Sequence, residues 1–235
     1  MKVELEKKPQ NVIIVEGFPG FGLVGTVASE YLIEHLKAEY IGHLWFDELP
    51  ATIAVHAGKI IRPIEIHYAK KYNMVIVHSI ASGQGMEWKI STLLNELAKT
   101  LKAKEIFSLE GVGSQEATEK PKVYFYSTDE KRGKMLTTAG VKSLDEGIVM
   151  GVTSAVLLKS PLPTTALFAE THTALPDSKA AAEIIKVLDK LFNLGIDIKP
   201  LIAMAAQFEE KVKGLIQQSE AAVDGAQRKK LSYVG

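Results

Sequence analysis

Three glycines near the amino terminus have the spacing of a phosphate-binding loop. Gly20, Gly22 and Gly25 spell G-x-G-x-x-G, and the apolar residues that follow recur at helical spacing. The free backbone N–H groups at such a helix start can hold a phosphate. In a dinucleotide-binding loop, however, the first glycine almost directly follows the strand, whereas Phe18 and Pro19 intervene here. We therefore expect Pro19 and the glycines to serve turn geometry and helix packing, with a bound phosphate as the alternative.

Two acids, Glu16 and Glu110, end predicted strands and could face each other at one edge of a sheet. Two buried acids can do general acid and base chemistry. More often such acids accept hydrogen bonds from loop amides, and no nucleophile with a placed base accompanies this pair. The serines near the strands lack the G-x-S-x-G elbow of many hydrolases: Ser79, Ser82, Ser108 and Ser154. We expect no catalytic residues.

The metal-ligating residue types are sparse. Of six histidines, His56, His67 and His78 lie on predicted strands, and no H-x-x-x-H or H-E-x-x-H pair occurs. We therefore expect no metal and no cofactor. The absence of cysteine removes disulfides, thiol catalysis and cysteine-type zinc sites, and it is typical of a cytoplasmic protein.

Composition and charge predict a globular protein without a nucleic-acid or membrane partner. Of the 235 residues 46% are hydrophobic and 24% charged, and 28 basic residues balance 28 acidic ones. The charged start predicts no signal peptide, and the longest apolar run, residues 148–158, is too short to span a bilayer. Only three of the basic residues are Arg, a bias that suggests a thermophile.

The predicted elements surround one buried strand. Residues 12–15 are continuously apolar and β-branched, which favours a strand of a parallel sheet covered on both faces. Closely spaced strands between residues 40 and 79 indicate antiparallel pairing, and residues 148–152 are predicted as a further strand. Amphipathic helices alternate with these strands. The pattern predicts an α/β fold, a three-layer α/β/α sandwich with a mixed, largely parallel sheet.

The carboxyl-terminal part is predicted as helices and a flexible tail. One amphipathic helix runs from Ser178 to a stop at Gly195, and a second opens at Pro200 with a heptad stripe over residues 201–222. That stripe can pack on its own domain or form a coiled coil between copies, and we expect a homo-oligomer. The expected division is an α/β domain over residues 1–195, a helix over residues 196–224 and a flexible tail over residues 225–235.

Two blocks of the sequence resemble the proteasome assembly chaperone 2 (PAC2) family, which includes archaeal homologues of eukaryotic chaperones that act on proteasome α-rings. The first is EGFPGFGLVG followed by a helix, and the second is LFAETHTALPDSKAAAEIIKVLDKLFNLGIDIKPL, residues 167–201. The resemblance implies a non-enzymatic, ATP-independent chaperone or adaptor that binds α subunits of the 20S proteasome in assembly or activation. It also implies a fold like that of nucleoside phosphorylases, so a nucleotide- or phosphate-binding enzyme stays open as the alternative.

The tail combines charge with apolar side chains, as a partner-binding segment does. Its candidate binding residues are Arg228, Lys229, Lys230, Leu231, Tyr233 and Val234. Members of the resembled family engage proteasome α subunits through a terminal hydrophobic-Tyr-X motif, in which the Tyr is penultimate. Tyr233 is the third residue from the end, followed by Val234 and Gly235. Relative to that motif, its ring and the terminal carboxylate would therefore be out of register by one residue. Two interpretations stay open: Tyr233 is a displaced form of this anchor, or the tail is solvated and its Tyr matches the motif by chance.

Overall fold

The structure, a computed structural model, describes residues 1–49, 51–56, 58–81, 85–114, 120–172 and 175–203. The strands in this part of the chain are β1 (Lys2–Leu5), β2 (Ile13–Gly17), β3 (Glu39–Trp45), β4 (Ala54–His56), β5 (Lys59–Ile61), β6 (Ile64–Ala69), β7 (Met74–Ser79), β8 (Glu105–Gly113), β9 (Val123–Ser127), β10 (Lys142–Ser143) and β11 (Thr164–Thr171). The helices are α1 (Val24–His35), α2 (Glu87–Thr100), α3 (Glu130–Thr138), α4 (Gly151–Lys159) and α5 (Ser178–Phe192).

Nine of these strands form one mixed sheet. Their order is β1-β3-β6-β7-β2-β8-β11-β9-β10, while β4 and β5 form a separate two-stranded ribbon. The four central strands, β7, β2, β8 and β11, are parallel to one another. On both sides of this centre the sheet continues with antiparallel partners, β6 next to β7 and β9 next to β11.

Helices cover both faces of the sheet, which confirms the predicted three-layer α/β/α sandwich. One hydrophobic core lies between the sheet and the α1 and α5 helices, and a second lies between the sheet and α2 and α4. Successive side chains of a strand point to opposite faces, so Val15 packs in the first core and Ile14 in the second. By the same alternation Glu16 lies on the α2/α4 face.

The α5 helix begins and ends as its sequence predicts. Asp177 is the N-cap, Asn193 takes the left-handed conformation directly after the last turn, and Gly195 follows with φ 71°. Residues 199–203 are helical again, and Leu201 is buried in the core shared with α1 and α5. This helix therefore starts against its own domain. The rest of the heptad stripe and the tail lie outside the described residues, so the division of the chain at residues 195 and 224 stays a prediction.

The segment before α4 differs from its prediction. Residues 148–152 are not a strand, because α4 begins at Gly151, whose φ of 80° turns the chain. Ile148 and Met150 are 89% and 76% exposed, so the apolar run enters the core only after α4 begins. The short strands β1 and β10 at the sheet edges were not predicted. None of the helices in the described ranges is long and apolar enough to cross a membrane.

Candidate functional site

A cavity of about 590 Å³ opens at the carboxyl edge of the parallel strands. Its walls come from the loop after β2, the end of β8 and the segment that leads into α4. Ligands of open α/β sheets bind at this edge, and the volume is in the range of small-molecule sites. Aromatic, aliphatic and glycine residues form most of the lining: Phe18, Pro19, Gly20, Phe21, Gly111, Val112, Gly113, Leu144, Gly147, Ile148, Val149, Met150, Gly151, Val152 and Phe168, together with Glu87, Glu110 and Glu146.

The glycine loop, residues 17–25, approaches neighbouring strands more closely than a side chain allows. A Cβ on Gly25 would lie 2.3 Å from the carbonyl oxygen of Leu109. Gly22 has φ 64°, in the left-handed region, and a Cβ there would lie 2.8 Å from Oγ1 of Thr171. Turn geometry and packing are thus sufficient reasons for glycine at both positions. That the loop has no ligand stays a prediction.

The two sequence blocks that carry the family resemblance meet at this loop. The carbonyl oxygen of Gly22 accepts a hydrogen bond from the backbone N–H of Asp177 at 2.9 Å. Asp177 in turn accepts the N–H of Ala180 at 2.9 Å and the hydroxyl of Thr171 at 2.7 Å. The residue that caps α5 therefore also fixes the glycine loop.

The first glycine of the motif faces a carboxylate. A Cβ on Gly20 would lie 1.8 Å from Oε1 of Glu110. That carboxylate accepts the N–H of Gly111 at 3.1 Å, and the backbone N–H of Phe21 also favours its charged form. The loop amides thus already donate to a carboxyl group of the protein. A phosphate at the loop mouth would compete with Glu110 for these donors and would meet its like charge when Glu110 is ionised, which disfavours the phosphate-binding alternative.

Glu16 and Glu110 do meet at this edge, through two hydroxyl groups. The hydroxyl of Ser108 contacts Oε1 of Glu16 and lies 2.8 Å from Oγ1 of Thr153. Thr153 donates to Oε2 of Glu110 at 3.2 Å. We call these four residues, Glu16, Ser108, Thr153 and Glu110, the carboxylate network. It runs on the α2/α4 face of the sheet from a buried acid to an acid in the cavity wall.

Burial shifts both acids of the carboxylate network toward their neutral forms. It raises the pKa of Glu16 from 4.5 to about 8, despite the Ser108 hydrogen bond, and the charge of Glu110 raises it further. Burial also raises the pKa of Glu110, to about 7, despite the Gly111, Thr153 and Phe21 donors. Ser108 donates to Glu16 and lies within hydrogen-bond distance of Thr153, and Thr153 donates to Glu110, so two hydroxyl groups link the two acids.

A second set of buried polar side chains lies on the α1 face of the same sheet. Oγ of Ser29 lies 2.9 Å from Nδ1 of His78, and Nε2 of His67 lies 3.1 Å from Oε2 of Glu65. Glu65 is the cross-strand partner of His78. We call these residues, Ser29, Glu65, His67 and His78, the histidine cluster. Burial lowers the pKa of His78 from 6.5 to about 4, so this imidazole is neutral at pH 7.

Sequence reasoning found some of these groups and missed others. Ser108 lies two residues before Glu110 on one strand, so period-two alternation could have placed both on one face. Thr153 gave no such signal, because it directly follows residues 148–152, which were predicted as a strand rather than as the approach to a helix. No three His, Asp or Glu side chains of the described residues converge as metal ligands. The predicted tail residues, Arg228, Lys229, Lys230, Leu231, Tyr233 and Val234, lie outside the described residues.

Comparisons with known proteins agree with the fold. The sequence model of the PAC2 family matches residues 14–216. The uncharacterized protein MJ0106 of Methanocaldococcus jannaschii is 30% identical over 92% of this chain and 89% of its own length. The structure of PbaA from Pyrococcus furiosus, described as an archaeal homolog of proteasome-assembly chaperone, superposes with a TM-score of 0.82 at 28% identity, covering 97% of each chain. PbaB of the same organism, described as an archaeal proteasome activator, shares the fold, with a TM-score of 0.78 at 20% identity over 91% of this chain and 98% of its own.

Proposed function

The chain belongs to the PAC2 family, and from this premise we propose that it is a non-enzymatic, ATP-independent chaperone or adaptor that binds α subunits of the 20S proteasome, in assembly or in activation. The observation that carries this proposal is the likeness to PbaA, a homolog of a proteasome-assembly chaperone, along nearly the whole of both chains. A proteasome partner implies a cytoplasmic protein, as the cysteine-free sequence also predicts.

We assign partner binding to the carboxyl-terminal segment. Arg228, Lys229 and Lys230 supply positive charge, and Leu231, Tyr233 and Val234 supply apolar side chains that a pocket between subunits can bury. A flexible segment loses conformational entropy when it docks, so one copy binds modestly. Several copies on one oligomer raise the effective concentration on a ring of identical sites.

Self-association is therefore part of the proposal. The β4–β5 ribbon exposes Val55 and Ile60 at 68% and 60% of their surface, and Trp45 at the end of β3 is 45% exposed. Val55 and Ile60 are register partners and share one face of the ribbon, and contiguous exposed apolar side chains are typical of a surface that a second protein covers. The heptad stripe that begins at Leu201 offers a further contact between copies.

The alternative, a nucleotide- or phosphate-binding enzyme, has less support. It needs an anion at the glycine loop, where Glu110 already lies against Gly20. It also needs a reactive group, and Ser108, which belongs to the carboxylate network, is fully buried. We therefore infer that the protein acts by binding rather than by catalysis.

Surface plasmon resonance on assembled proteasome α-rings tests this function. The intact chain should bind, and deletion of residues 231–235 or the substitution Tyr233→Ala should weaken binding by about tenfold or more, since a buried aromatic anchor is worth about 1.4 kcal/mol or more. The matched control is Tyr126→Ala, because Tyr126 is an exposed tyrosine, 48% accessible, on the folded domain. Light scattering on the same samples reports the oligomer that multivalent binding requires.

Two results would count against the proposal in different ways. No binding by the intact chain would remove α subunits as the partner. Equal affinity of the intact chain and both tail variants would keep the partner but move the interface to the folded domain or to the helix that begins near Pro200.

A further inference from the structure

The cavity beside the glycine loop contains a carboxylate whose hydrogen-bonding capacity the described residues do not fill. A carboxylate accepts about four hydrogen bonds. The described residues supply Glu110 with donors from Gly111, Thr153 and Phe21. Capacity for a further donor remains, and Glu110 lines the cavity.

No described residue that lines the cavity carries a positive side chain. The titratable side chains around Glu110 in the described residues are acids. Glu87 at the start of α2 and Glu146 from the segment before α4 line the same cavity, and Glu16 from β2, whose pKa of about 8 keeps it mostly neutral at pH 7, is linked to Glu110 through the carboxylate network. The hydroxyl of Thr153, in the first turn of α4, and the backbone N–H groups of Gly111 and Phe21 already donate to Glu110 and offset part of this charge. An anionic ligand would therefore meet net repulsion here, and a cationic one net attraction.

The mouth of the cavity exposes large apolar side chains. Ile148 is 89% exposed, Met150 76% and Phe21 43%. All three line the cavity, Phe21 from the glycine loop and Ile148 and Met150 from the segment before α4. Covering apolar surface is favourable in proportion to its area, so these side chains favour a ligand with an apolar body.

We propose that this cavity binds an amphipathic organic cation, an alkylammonium or alkylguanidinium group that pairs with Glu110 while its alkyl chain lies along Phe21, Ile148 and Met150. A cavity of about 590 Å³ accommodates such a ligand with six or more carbon atoms. The cation is either a free amine or a lysine or arginine side chain of a protein segment. This site is separate from the carboxyl-terminal segment that binds the proteasome in the proposed function, so either assignment can fail alone.

Binding of this cation depends on pH with a defined sign. Burial raises the pKa of Glu110 to about 7, and the cation pairs with the ionised form. Raising the pH from 6 to 8 ionises Glu110, so affinity rises by roughly tenfold and protons are released on binding. Glu16 is largely protonated at pH 6 and 7 and about half protonated at pH 8, because its pKa is about 8.

Isothermal titration calorimetry of the intact chain with hexylammonium chloride tests the proposal. Hexanol and sodium hexanoate serve as the neutral and anionic probes of equal chain length. The cation should bind at pH 8 at least about tenfold more tightly than either probe, since a charge-assisted hydrogen bond is worth about 1.4 kcal/mol or more. Butylammonium should bind more weakly than hexylammonium, because it covers less apolar surface.

Two substitutions locate the site. Glu110→Gln should lower hexylammonium affinity about tenfold and abolish its pH dependence, whereas Glu96→Gln, at an exposed position on α2, should change neither. Met150→Ser replaces a residue that is 76% exposed, so it leaves the fold intact. It should reduce the difference in affinity between hexylammonium and butylammonium, because it removes apolar surface that the longer chain covers. This second variant keeps the test decisive if Glu110→Gln does not fold.

The outcomes separate clearly. Equal binding of hexanoate and hexylammonium, or hexylammonium binding unchanged in both Glu110→Gln and Met150→Ser, overturns the proposal. If the peptide acetyl-Leu-Arg-Leu-amide binds more tightly than hexylammonium, and acetyl-Leu-Gln-Leu-amide does not bind, the cation belongs to a protein segment. If the amine binds more tightly than both peptides, the ligand is a free organic cation.

Discussion

The carboxylate network and the histidine cluster are buried polar groups on opposite faces of the same sheet, and they differ in access. In the histidine cluster Ser29 is fully buried and His78 is 4% exposed. In the carboxylate network Glu16 is equally buried, but Glu110 lies in the wall of a cavity. A ligand can therefore reach one end of the carboxylate network, whereas the described residues around Ser29 and His78 leave almost no surface for one.

The comparison shows that a shifted pKa does not by itself mark a site. Burial disfavours the charged form in both regions, so it raises the pKa of Glu16 and Glu110 and lowers that of His78. The cause is the same, and only the cavity separates a candidate binding site from a buried structural cluster. Because the pKa shifts have opposite signs, a rise in pH lowers stability through Glu16 and Glu110 and raises it through His78.

The largest effect should come from Glu16 at alkaline pH. Between pH 4.5 and 8 the unfolded chain loses the proton of Glu16 while the folded protein keeps it, so stability falls as pH rises. The substitution Glu16→Gln preserves the shape of the side chain but removes its titratable carboxyl group. The free energy of unfolding of Glu16→Gln, relative to the natural chain, should therefore rise by roughly 4 kcal/mol from pH 5 to pH 9, measured by urea denaturation. The exposed control Glu96→Gln should show no such trend, and a pH-independent difference for Glu16→Gln would contradict the buried proton.

Cysteine labelling tests whether solvent reaches each region. The chain has no cysteine of its own, so only the introduced thiol reacts. A thiol at Glu110→Cys should react with iodoacetamide about a hundredfold faster than one at Ser29→Cys, because a fully buried group reacts only after local opening. Mass spectrometry measures both rates, and the two variants should react alike in urea. Similar rates in the folded state would remove the distinction between the two regions.

The smallest effect should come from His78 at acid pH. Between pH 6.5 and 4 the unfolded chain binds a proton at this imidazole and the folded protein does not, so stability falls as pH falls. His78→Gln retains a hydrogen-bonding partner for Ser29. From pH 7 to pH 4 this variant should gain on the order of 2 kcal/mol relative to the natural chain, by urea denaturation. His172→Gln, at an exposed position, is the control, and equal slopes for the two variants would show that His78 is not buried neutral.

Local sequence patterns predicted the elements that depend on local chemistry. The buried strand β2, the loop after it and the α1 helix follow from apolar runs, glycines and helical spacing, and the ends of α5 follow from Asp177 and the Asn193–Gly195 stop. Prediction failed at residues 148–152, where Ile148 and Met150 stay on the surface and a helix, α4, begins at Gly151. Periodicity reports which residues could be buried, but only the packing of the other layers decides whether a position remains for them.

By itself the sequence determined the α/β class, the family and the presence of acids at two strand ends, because each depends on residue types and spacing within one segment. The tertiary structure decided which distant segments meet. It placed Asp177 against the carbonyl oxygen of Gly22, Glu110 against Gly20, and Thr153 between Ser108 and Glu110. These contacts join residues far apart in the chain and depend on strand order, which no single segment encodes. That strand order explains why the glycine loop, which has the spacing of a phosphate-binding motif in the sequence, forms the wall of an acidic cavity in the structure.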